Sequence, residues 1–219
     1  LSWSKMPDNN IPEDVTDLER DMLPLASVSH WDVPIEVDGE SVHILASSAA
    51  DASEGSNAKE RNQDQVRFWE DYLDQDTEYI TDHRGNRGPL EEGAQFLIAG
   101  SLKADPNGNG PADPTAISSL LDSEAVTDPQ PARTVASSDV DQGKLPTDPE
   151  AAFHTAPDPT SGSNSYRADY VLPSSDMSVL NSGTLETDAE NRDNYRGFFG
   201  MRSNDSANHL VWTDTAIEN

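Results

Sequence analysis

The 219-residue sequence contains no cysteine, which excludes a disulfide framework, a thiolate zinc site and a cysteine nucleophile. Basic residues are scarce. Four lysines (Lys5, Lys59, Lys103, Lys144) and ten arginines face 41 acidic residues, for a formal net charge of −27. Nucleic-acid affinity draws on Lys and Arg neutralising phosphates, so this balance argues against nucleic acid as a general partner. Long apolar runs are also missing: nothing approaches the ~20 residues a membrane span needs, and no membrane insertion is expected. The opening LSWSKMPDNN has neither the basic n-region nor the apolar stretch of a signal peptide. No HExxH, phosphate-binding glycine loop, Ser-His-Asp order or internal repeat occurs.

What is present suffices for a core. Hydrophobic residues make up 34% of the chain, and Trp31, Trp69, Trp212 and several β-branched runs point to an acidic globular protein with long polar loops. Dense carboxylates with few lysines suit a chain that stays hydrated at high salt, where screening over ~3–8 Å relieves self-repulsion. A saline or marine source is one reading; an ordinary acidic secreted protein is the other.

Residues 1–26, rich in Pro and Asp, read as an extended lead-in. Val33 to Val37, the pair Asp38-Gly39, and Val42 to Ala46 read as a β-hairpin, because Asp-Gly accepts the positive φ angles of a tight turn. A polar loop over 47–61 precedes a helix over about 62–74, with Val66, Trp69 and Leu73 on one face. Phe96-Leu97-Ile98-Ala99 reads as a buried strand. Asp113 as N-cap and Pro114 as first residue open a second helix, with Ile117, Leu120 and Leu121 inward. Residues 127–165 form a long polar excursion without periodicity. Two more strands are expected, over Ala168 to Leu172 and Leu210 to Thr213.

Four segments then fall in a telling order: Ser29-His30-Trp31-Asp32-Val33-Pro34 running into the hairpin, Gln65 to Tyr72, Phe96 to Pro106 (FLIAGSLKADP), and Arg167 to Ser174 (RADYVLPS) with Ser206 to Asp214 (SANHLVWTD). In order and spacing they resemble the C-terminal half of the endonuclease/exonuclease/phosphatase superfamily, particularly its secreted bacterial branch. The resemblance covers about residue 27 to the end. It implies a four-layer α/β sandwich, two facing mixed β-sheets with outer helices, of which this chain forms about half. It also implies hydrolysis of phosphoesters by a carboxylate-held Mg²⁺ or Mn²⁺, a His–Asp pair and an Asp–Asn pair, in an extracellular or cell-surface setting.

The departures from the family pattern fall on that chemistry. The family's Gly-Asp-x-Asn is Gly100-Ser101-Leu102-Lys103 here, so a carboxylate becomes a hydroxyl and an amide an ammonium. The terminal Ser-Asp-His is Ser206-Ala207-Asn208, and the family's His after the hairpin is Ser48. Ser48, Ser101, Lys103, Ala207 and Asn208 thus replace the expected machinery. Asp169 survives, and His209 stands one residue from the lost histidine. General acid–base and electrostatic terms are each worth roughly 10²–10⁴ in rate, so the resemblance implies a phosphoesterase-like protein without catalysis, with a structural, assembly or binding role. The family's N-terminal strands have no counterpart, so another polypeptide, a cleaved N-terminal part or a separate subunit, is expected to complete the sandwich in a homo- or hetero-oligomer. The alternative is a metal-dependent phosphodiesterase, phosphatase or nuclease whose missing ligands come from such a partner.

Asp105-Pro106-Asn107-Gly108-Asn109-Gly110 matches the first six positions of a calcium loop, and Asp113 falls at the ninth. Asp105, Asn107, Asn109 and Asp113 are therefore candidate Ca²⁺ ligands, with a calcium-binding adhesive module as a second alternative. The bidentate Glu of the twelfth position is Ala116, which leaves a plain Asn-Gly turn as the other reading. No other cofactor is expected. The five histidines show no metal-ligand spacing, and the acidic runs read as solvated faces.

Overall fold

The computed structural model describes residues 1–26, 28–131, 153–157, 159–160, 165–185 and 209–217. Its organising element is the hairpin. Asp38 and Gly39 take φ of 54° and 93°, the two positive values whose twist matches that of the flanking strands. They join β1 (Trp31–Val37) to β2 (Glu40–Ser48) in antiparallel register, with Trp31 opposite Ala46 and Ile35 opposite Val42.

The next strand, β3 (Gln95–Ser101), runs parallel to β2. A parallel pair needs a long crossover, and α2 (Ala58–Leu73) supplies it; α1 is the short helix Asp17–Met22. Helix α3 (Thr115–Asp122) packs beside α2. Two short strands, β4 (Ala156–Pro157) and β5 (Ser165–Tyr166), pair with each other. Strand β6 (Asp169–Pro173) then adds antiparallel to β3 and completes a mixed sheet of order β1-β2-β3-β6. A second sheet, β7 (Met177–Leu185) with β8 (Leu210–Ile217), lies with β8 against β6. This mixed-sheet α+β architecture is the class the sequence predicts.

The alternation of side chains along a strand gives the mixed sheet two faces. One carries Leu45, Phe96, Ile98, Tyr170 and Leu172, buried with Val66 and Trp69 of α2 and Ile117 and Leu120 of α3. The other carries Trp31, Val33 and Ile35, the buried Val42, and the half-buried Ile44, Leu97, Ala99 and Val171. On β1 this second face is open: Trp31 is 57% exposed, Val33 43% and Ile35 41%.

Boundaries shift where local signals were weak. Helix α2 begins four residues before the expected start, after Asn57 in a left-handed conformation. Helix α3 begins at Thr115, while Asp113 accepts hydrogen bonds from the Thr115 backbone N–H at 3.0 Å and its hydroxyl at 2.6 Å. The predicted lead-in over 1–26 is folded into the core instead. Trp3, Met6, Ile11 and Leu25 are buried there, and the Trp3 indole donates to Asp64 Oδ2 at 2.5 Å. Asn10 binds the same carboxylate through its backbone and side-chain nitrogens, each at 2.7 Å. Arg61 lies over the Trp3 ring, 5.1 Å from its centroid.

Candidate functional site

Strands β2 and β3 run parallel and end together, and β6 begins beside them in the opposite sense. Their register therefore brings Ser48, Ser101 and Asp169 into one row at one end of the sheet. Backbone contacts fix this row. The Ala49 N–H donates to Ser101 O at 2.9 Å, and the N–H groups of Leu102 and Lys103 both donate to Ala168 O, at 2.8 and 2.9 Å. Asn62 of α2, fully buried, ties the two loops together by donating to Ala50 O at 2.8 Å and Leu102 O at 2.9 Å. Just before the row, Gly100 passes so close to β2 that a Cβ there would lie 1.9 Å from Ser47 O.

Asp169 is the row's lone carboxylate. The buried Thr155 hydroxyl accepts from its backbone N–H at 3.0 Å and from that of Ala168 at 2.9 Å. Burial pushes the Asp169 carboxyl above its ordinary pKa, while hydrogen bonds from Ser101 and Thr155 and the positive charge of Lys103 oppose the shift. Its Oδ2 is buried and accepts no hydrogen bond. The His209 N–H donates to Thr155 O at 2.8 Å, so this histidine joins the same neighbourhood by its backbone. Ser206, Ala207 and Asn208 lie outside the described residues.

Hard divalent cations take about six oxygen ligands, several of them carboxylates. Two hydroxyls, one carboxylate of raised pKa and a lysine charge do not fit that demand. Among the described residues, no three His, Asp or Glu side chains converge where they could hold a metal. The row can donate and accept hydrogen bonds.

The Asp105 loop is built around its own first residue. Asp105 Oδ1 accepts from the Asn107 N–H at 2.8 Å and from Asn109 Nδ2 at 3.4 Å, and Oδ2 accepts from the Arg167 N–H at 2.8 Å. Asp113 is turned to Thr115 and to Lys59, whose Nζ lies 3.9 Å away. Asp105, Asn107 and Asn109 are thus together, while the Asp113 carboxylate is engaged at the start of α3. Beside this loop lies a cleft of about 430 Å³, lined by Asp105, Asp122, Asp128, His154 and Arg167 among others. Arg167 forks onto Asp128 through two 2.7 Å bonds, and His154 Nε2 sits 3.8 Å from Asp105 Oδ2. Sequence reasoning missed Asn62, Thr155 and His154, because polar residues in a helix or an aperiodic tract carry no spacing signal.

The described residues therefore define an α+β layer with a polar row at the end of its sheet and exposed apolar side chains on β1. No family model matches the sequence, and no curated protein does. Among solved structures, an endonuclease/exonuclease/phosphatase family protein from Leptotrichia buccalis C-1013-b is similar, with a TM-score of 0.42 and 10% identity over 85% of this chain. The chain spans about half of that protein, 53% of its length.

Proposed function

We propose that this protein is a phosphoesterase-like domain without catalysis, acting outside the cell as an assembly or binding component. The observation that carries this reading is the row Ser48–Ser101–Asp169 with Lys103 beside it. A metal-dependent phosphoesterase needs carboxylates to hold the ion and a base to activate water. Here two hydroxyls and an ammonium stand in their place.

The test is hydrolysis of bis(p-nitrophenyl) phosphate with Mg²⁺ or Mn²⁺, with and without chelator. No turnover above the buffer rate is expected. A metal-dependent, chelator-sensitive rate would overturn the proposal. It would favour the second reading, a phosphodiesterase completed by a partner chain, for which the specific support is His209 bonded to the Thr155 that holds Asp169. A calcium-dependent rise in melting temperature, lost in Asp105→Asn, would favour the adhesive module.

A further inference from the structure

We infer that the open β1 side of the mixed sheet's second face is a docking surface for a different polypeptide, which lays a β-layer over it, apolar toward the sheet and basic at its margin. This rests on the reading of the chain as an assembly component and gives its partner a chemistry. Trp31, Val33 and Ile35 of β1 continue across the register into Ile44 and Ala46 of β2, Leu97 and Ala99 of β3, and Val171 of β6. The exposed part is the row on β1, Trp31, Val33, Ile35 and Val37; the β2, β3 and β6 residues that continue it are half-buried and Val42 is buried. A contiguous exposed apolar row of this kind marks an interaction surface. Strand β8 lies against β6, Val42 of β2 is buried, and the described residues leave the β1 side open. Sheets stack face to face about 10 Å apart with interdigitated apolar side chains, so a β-layer laid over the β1 side is what the surface fits.

Two further observations choose the occupant. Pro34, in the middle of β1, has no N–H to offer, and Asp32 and Glu36 flank it on the same strand. Such residues blunt strand addition at an edge, so the partner covers the face rather than lengthening the sheet. The surface is rimmed by Asp38 and Glu40, both exposed, on a chain of net charge −27. A second copy would bring like charges rim to rim, whereas a partner with Lys or Arg at its margin is attracted and aligned.

The experiment titrates the full chain with two designed β-hairpin peptides that share a Val/Ile face and differ in carrying Lys or Glu on the other. Trp emission reports binding, and light scattering reports oligomeric state at 0.15 and 1 M NaCl. The Lys hairpin is expected to bind and blue-shift the emission, with the Glu hairpin at least tenfold weaker. Val33→Lys/Ile35→Lys should reduce binding tenfold or more, and Trp31→Phe should remove most of the blue shift. Because β1 side chains are exposed, these variants should melt within a few degrees of the parent; Val33→Thr/Ile35→Thr serves if the lysine pair does not fold. Failure of both hairpins to bind, or binding indifferent to these substitutions, would overturn the proposal. So would a salt-induced dimer that buries Trp31, which would make a second copy the occupant, or quencher-inaccessible Trp31 in the monomer, which would make it another part of this chain. None of these outcomes depends on phosphodiester hydrolysis, so the two proposals fail separately.

Discussion

His30 gives the protein a pH dependence that can be worked through. Its ring stacks on Phe68 with centroids 4.1 Å apart and meets the edge of Trp69 at 5.0 Å, and its Nε2 donates to Gln65 O at 3.0 Å. Burial disfavours the imidazolium and brings the pKa down to about 4, against a partial opposing effect of the Gln65 bond. The unfolded chain, at the ordinary value near 6.5, binds the proton more readily. Stability from this group is therefore whole above pH 6.5 and is lost as pH falls from 6.5 toward 4. Between pH 7.5 and 5.5 the linkage relation gives a loss of about 1.3 kcal/mol, a ceiling because the ring keeps some contact with solvent. Urea unfolding of the parent and of His30→Phe at several pH values isolates the effect. Phenylalanine keeps the stack and loses one hydrogen bond at every pH, about 1 kcal/mol, while carboxylate titrations cancel in the comparison. The parent should lose stability faster than the variant by up to that 1.3 kcal/mol. Parallel pH profiles, or a His30 ring that titrates near 6.5 by NMR, would refute the reasoning.

Three other outcomes are expected. Gly100→Ala should cost about 3 kcal/mol or more in chemical denaturation, because its Cβ would overlap Ser47 O and push β3 off β2. Asp64→Ala should cost about 3 kcal/mol, leaving the Trp3 indole and both Asn10 nitrogens without their acceptor, and limited proteolysis should then cut first within residues 1–26. The melting temperature should rise by several degrees between 0.05 and 1 M NaCl as screening relieves the −27 self-repulsion; a flat or falling profile would contradict the salt-adapted reading.

Where local chemistry dictates the backbone, the fold was legible in the sequence. Asp38-Gly39 placed the hairpin, the Val66/Trp69 spacing placed α2, and the apolar run Phe96 to Ala99 placed the strand buried at the centre of the sheet. What could not be read was anything held by distant partners. Trp3 and Met6 look like a polar lead-in until Asp64, 61 residues on, captures the indole. Strand β7, MSVLNSGTL, is too polar to announce itself and carries a register shift between Val179 and Asn181; its pairing with β8 defines it. At the site, Ser48, Ser101 and Asp169 were named from a family pattern, and their meeting in one row is a matter of register that no single segment encodes. Asp105 was named a candidate cation ligand beside the reading of a plain turn, and side-chain type alone does not reveal that Asn107 and Arg167 donate to it.

The polar row and the apolar face are one surface. Trp31, Ala46, Ala99 and Val171 form the row of side chains immediately next to Ser48, Ser101 and Asp169 on the same side of the sheet. Anything that covers the face therefore walls the polar row as well and withdraws it further from water. If the covering layer is apolar there, Asp169 is desolvated more strongly and moves still further from the ionised state a metal ligand needs. If instead it carried carboxylates to that end, they would meet Lys103 and could complete a site this chain lacks. Spectroscopic titration of Asp169 under the covering layer, without and with Mg²⁺, separates the two: an upward shift that Mg²⁺ leaves unchanged marks a scaffold, and one that Mg²⁺ reverses marks a site that holds a cation.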